Sequence, residues 1–153
     1  MPAQLLISVA QYLRASWATC LRKLMDLRER YKAIAQCRED RGITLLRQWL
    51  SVDQRTQFDS SKSFVVVGCN SGKRYRISYG TGNNVHELDD ADRPVMGWCF
   101  VPSAHLVAGD VMLAQKIALE TEENAALKIA NRFPIHQPDR RTANILRVEV
   151  RSI

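Results

Sequence analysis

The residues best able to do chemistry lie in the middle of the chain. Cys69, His86, Cys99 and His105 are of the types that ligate zinc or pair as thiol nucleophile and base, and Gly68-Cys69-Asn70-Ser71-Gly72-Lys73 has the glycine and lysine content of a phosphate-binding loop. Each pattern is incomplete. The loop is one residue short of the phosphate-binding spacing, Arg74 stands where Ser or Thr binds magnesium, and strand-like alternation follows where a helix must begin. Structural zinc takes ligands in pairs about two to four residues apart, whereas these four are separated by 17, 13 and 6. No motif sets a base or an oxyanion donor beside either thiol. The acids Glu87, Asp89, Asp90 and Asp92 match a calcium loop in charge but lack its glycine and closing glutamate. The expectation is a hairpin turn over 68–73, an exposed acidic turn after it, and no metal or cofactor.

Charge is the remaining chemical signal. The net charge is +6 and the pI about 9.4, unevenly spread. Residues 1–41 carry eight Lys/Arg against four Asp/Glu, 63–86 carry Lys73, Arg74 and Arg76 against no acid, and 87–94 carry four acids against Arg93. Lys73, Arg74, Arg76 and Arg93, with Arg22, Lys23 and Arg30 nearer the N-terminus, are the candidate contacts for nucleic acid or another anion. Phosphate contact needs charge alone, whereas base stacking needs aromatic rings on the cationic face.

A small antiparallel sheet must position these groups. Phe64, Val65, Val66 and Val67 favour a strand, and Gly72 suits the turn that follows because it can take positive φ. Lys73 to Tyr79 then alternates, with Tyr75, Ile77 and Tyr79 on one face and Arg74, Arg76 and Ser78 on the other. The tyrosines are expected in the core and the arginines in water, which favours phosphate contact over stacking. Gly80 to Asn84 turns the chain again, Val85 to Leu88 pairs once more, and Met96 to Val101 closes a sheet of three or four strands.

Helices flank it. Residues 4–39 contain neither Gly nor Pro, and Leu6, Ala10, Leu13, Trp17, Cys20, Leu24, Leu27, Tyr31 and Ile34 recur at alternating steps of four and three. Leu6, Leu13, Trp17, Leu24, Leu27, Tyr31 and Ile34 form the candidate partner interface. Three readings of that seam stand side by side: packing back on its own domain, self-association, and a partner helix. Gly42 is expected to end this helix. Ile43, Leu46, Trp49 and Leu50 give the next one a buried face, and Ser51 with Gln54 has capping-box spacing. A last helix from an Asp110 N-cap to about Asn131 is expected to set Ala114, Ala118 and Ala125 against the sheet and Lys116, Glu120, Glu123 and Lys128 in water.

The order of features from Ile43 to Arg132 resembles small bacterial proteins of unassigned activity, on Gly68 with Gly72-Lys73-Arg74-Tyr75-Arg76-Ile77, Gly80 with Asn84-Val85, Cys99-Phe100-Val101-Pro102 and Gly109-Asp110-Val111-Met112-Leu113-Ala114-Gln115-Lys116. The resemblance implies a self-contained domain with a variable N-terminal extension. Four scattered cysteines without a CxxC pair point to a reducing compartment, and neither a signal peptide nor an apolar run of about twenty residues is evident. The sequence therefore predicts a soluble, cytoplasmic α+β protein: an amphipathic helical extension (1–41), a domain (42–133) and a basic tail or edge strand (134–153). Its expected function is non-enzymatic binding, with helix-mediated association to itself or another protein and a basic surface for an anion. The rivals are a small enzyme on zinc or cysteine, and a structural subunit of a larger assembly.

Overall fold

The computed structural model describes residues 2–102, 104 and 106–135, and of 2–16 and Ala18 the backbone alone. His105 and the tail from 136 lie outside the described residues. Three helices, α1 (Pro2–Trp49), α2 (Val52–Ser61) and α3 (Ala108–Ile129), accompany one antiparallel sheet of five strands: β1 (Ser63–Val67), β2 (Arg74–Ser78), β3 (Val85–Leu88), β4 (Pro94–Cys99) and β5 (Asn131–Pro134). Spatial order follows chain order. The three- to four-stranded sheet expected from the sequence gains its extra strand after α3, where Asn131 pairs with Cys99 and Phe133 with Gly97. A side chain on Gly97 would begin 2.1 Å from the Phe133 ring, so the ring lies where this glycine leaves room. No local pattern in four residues announces such a strand.

The first hairpin forms as its alternation predicts. Phe64 opposes Ile77 and Val66 opposes Tyr75, all four buried, and Gly72 takes φ 69° in the turn. Tyr79 departs from expectation. It lies one residue beyond β2 and is 51% exposed, its hydroxyl 2.8 Å from Glu39 rather than in the core. At the centre of the edge strand β1 the outward groups of Val65 are occupied by side chains: its amide donates to Gln57 Oε1 at 2.8 Å, and its carbonyl accepts from Gln54 Nε2 at 3.0 Å.

Gly42 does not end α1, which continues to Trp49. The glycine instead sits where α1 crosses the start of α3, and a Cβ on Gly109 would lie 2.2 Å from the Gly42 carbonyl carbon. A close crossing repays the roughly 1 kcal/mol a mid-helix glycine costs. Leu46 and Leu50 are buried and Ile43 partly so, while Trp49 is exposed. The Ser51–Gln54 capping box is present in full and starts α2.

The last helix differs from expectation in two ways. Asp110 is not its N-cap: Val107 holds that position without a side-chain bond, and the first amide, Ala108 N–H, reaches Glu39 Oε2 of α1 at 3.2 Å. Its buried face is also not the alanine face. Met112, Gln115, Lys116, Leu119, Glu123 and Ala126 are buried, while Ala114 and Ala125 are exposed. Polar side chains can occupy that stripe because each is partnered. Lys116 pairs with Glu120, and Gln115 and Asn84 exchange reciprocal hydrogen bonds at 2.9 Å.

Candidate interaction surface

One polar centre was invisible in the sequence. At Glu122 (φ −143°, ψ 50°) the helical path of α3 breaks, and the turn after β1 enters the gap. Cys69 N–H donates to Leu119 O at 3.1 Å, and Cys69 Sγ accepts the Glu123 amide at 3.4 Å, so one residue takes up both halves of the missing i→i−4 bond. Asn70 Oδ1 then accepts the Asn124 amide at 3.2 Å. The Glu123 carboxylate, fully buried, lies over this turn and accepts from the Asn70 amide (2.8 Å), the Ser71 amide (2.7 Å), the Ser71 hydroxyl and the Tyr75 hydroxyl (2.7 Å). Burial alone would raise its pKa, but those bonds outweigh burial and hold it below the ordinary carboxylate value. The Tyr75 hydroxyl is pushed the other way, first by burial and then by its bond to the carboxylate. Gly68 is needed here, since a Cβ would lie 2.3 Å from the carboxyl carbon. Closed to solvent and supplied with donors, Glu123 is a structural anion that fastens the hairpin to α3.

The metal and thiol candidates Cys69, His86 and Cys99 do not converge. Cys69 follows β1 and Cys99 ends β4, and because these strands run in opposite directions the two thiols lie at opposite ends of the sheet. His86 is mid-sheet, edge-on to Phe133 with ring centroids 6.2 Å apart. Its pKa is lowered by burial and then by Arg76. Among the described residues no three His, Cys, Asp or Glu side chains gather to hold a metal.

Of the candidate anion contacts on and beside the sheet, three pair with acids and the fourth with a backbone carbonyl. Lys73 pairs with Glu87 at 2.7 Å, Arg74 with Asp92 at 2.5 Å and Arg93 with Asp89 at 2.7 Å, and Arg76 donates to the Asp92 carbonyl at 3.2 Å. The basic run and the acidic turn that look separate in the sequence thus neutralise each other in space. Of the N-terminal cations, Arg30 pairs with Asp26 at 3.0 Å, whereas Arg22 and Lys23 have no ion pair among the described residues.

Along α1 the seam stands in solvent. Residues 19–38 are exposed without exception, and Trp17, Leu24, Leu27, Tyr31 and Ile34 are between 52% and 71% exposed. The reading in which the seam packs on its own domain therefore fails over these residues. The Leu6 and Leu13 side chains lie outside the described residues. Pairs along the helix, Asp26 with Arg30, Glu29 with Lys32 at 2.8 Å and Gln36 with Asp40 at 2.8 Å, add about 0.2–0.5 kcal/mol each. No helix among the described residues is long and apolar enough to cross a membrane. No family model, curated protein or solved structure matches the chain.

Proposed function

We propose that this chain is a non-enzymatic association module, in which the α+β unit anchors α1 and presents its apolar seam to a partner. The observation that carries the reading is the exposure of Trp17, Leu24, Leu27, Tyr31 and Ile34 on one continuous helix. Tertiary packing, more than propensity, is what stabilises helices in water. An apolar stripe left in water also gives up about 25 cal/mol for each Å² that a partner would bury. The anion-binding role keeps a smaller place in this reading, because Lys73, Arg74 and Arg93 already face acids, leaving α1 as the more accessible basic surface.

The test uses the full chain and its Leu24→Glu, Leu27→Glu double variant, compared by light scattering at about 1 M salt, where charge repulsion is screened beyond about 3 Å. The wild type is expected to associate as its concentration rises and the variant to stay monomeric. A wild type that remains monomeric under these conditions, and that takes up no amphipathic helical peptide, defeats the reading.

A further inference from the structure

The uncovered seam has flanks of a single sign. Taking Trp17, Leu24 and Tyr31 as one core position and Cys20, Leu27 and Ile34 as the other, the flanking positions are Lys23 and Arg30 on one side, and Leu21, Arg28 and Ala35 on the other. Arg14 continues the second side, with its side chain outside those described. No acid occupies a flank between residues 14 and 35. The acids of this stretch, Asp26 and Glu29, lie on the back of the helix. Lys23 and Arg28 have no ion pair among the described residues.

Flanking charges choose partners in helix pairs. In a parallel pair of identical chains Lys23 would face Arg28 of the other copy; in an antiparallel pair each flank would meet its own kind. Both arrangements set cation against cation. We propose that the occupant of this seam is a helix of another protein, with an apolar seam of its own and acidic flanks. The proposal rests on the association reading above and narrows it to a partner of stated chemistry.

Two further observations favour a helix in that place. Gly42 falls eighteen residues, or five turns, after Leu24 and so shares its face. At Gly42 that face is packed against α3; at Leu24 the same face is bare. A partner helix would therefore continue, higher on α1, the packing α3 provides below. Arg28 also projects inside the apolar arc, between Trp17 and Leu21 when the helix is viewed end on. Against lipid, a guanidinium there would have to climb out of the acyl layer, whereas beside a partner helix it meets a carboxylate.

The experiment uses the full chain with two synthetic amphipathic peptides of four heptads, identical in leucine seam and carrying glutamate or lysine at the flanks. Binding is measured by calorimetry at near-physiological salt, with vesicles of mixed phosphatidylcholine and phosphatidylserine as a third arm. The glutamate peptide should bind at least about tenfold tighter than the lysine peptide. The Lys23→Glu, Arg28→Glu, Arg30→Glu variant should reverse that order, and should pair with the wild-type chain although neither pairs with itself. These substitutions lie on the exposed span of α1, and circular dichroism checks that the fold survives. A wild type already dimeric at micromolar concentration and near-physiological salt, where its like charges are not screened, overturns the acidic-partner proposal and leaves association standing. Equal affinity for both peptides, or vesicle binding with no peptide binding, also overturns it. No association of any kind, even at high salt, removes both.

Discussion

The Tyr75 hydroxyl lies 2.7 Å from the Glu123 carboxylate in a fully buried pair that joins β2 to α3 across forty-eight residues of sequence. Replacing the carboxylate by an amide keeps one acceptor oxygen and sets an NH2 against donors that faced the other. Glu123→Gln should lower unfolding free energy by about 2–4 kcal/mol, and Tyr75→Phe, which removes one donor, by about 1–2 kcal/mol. Urea denaturation gives both values. The double variant should fall short of their sum, because the residues share one bond.

The same carboxylate sets an acid limit. Its pKa in the fold is below the ordinary 4.5, so its stabilisation is complete above that pH and is lost as pH falls through the lower folded value. Wild-type denaturation midpoints should drop progressively below pH 4.5, and the fall should be shallower in Glu123→Gln. His86 adds an earlier step of the same sign. Its folded pKa is depressed below 6.5, so stability is lost as pH falls from that value, and His86→Gln should remove this step alone.

The two glycines at the helix crossing should respond unequally to alanine. At Gly109 the added carbon meets the backbone of Gly42 at 2.2 Å, and α1 would have to separate from α3 at a cost of about 1–3 kcal/mol. At Gly42 it meets a Val107 methyl at 2.6 Å and Asp110 Oδ1 at 3.3 Å, side-chain atoms rather than backbone, and the roughly 1 kcal/mol of helix propensity gained offsets part of the cost of moving them. Gly42→Ala should therefore destabilise less than Gly109→Ala, as read by thermal denaturation.

Glu39 bridges three elements by accepting Tyr79 Oη with one oxygen and Ala108 N–H with the other. A carboxylate at the start of α3 also suits the helix dipole. Glu39→Ala should cost about 1–2 kcal/mol and speed hydrogen exchange in the first turn of α3, while Tyr79→Phe should cost less than about 1 kcal/mol and leave that turn protected.

What could be read from the sequence was local. β-branched runs, alternation and Gly72 placed the first hairpin, and Ser51 with Gln54 placed the start of α2, because each signal acts within a few residues. What escaped it depends on distant partners. Gly42 reads as a helix stop until Gly109 lies against it, Asp110 reads as a cap until Glu39 arrives from another helix, and Glu123 reads as solvated until Ser71 and Tyr75 surround it. The seam was legible as a pattern, and its exposure followed only once the domain was seen to leave it uncovered.

The amides of Gln54 and Gln57, spent on Val65, have a consequence for how this protein fails. A border strand whose central residue has both outward groups taken offers a passing chain an interrupted template, and the opposite border is four residues long and ends in Pro134. Recruitment of copies into fibrils by strand addition is therefore disfavoured at both borders while the fold is intact.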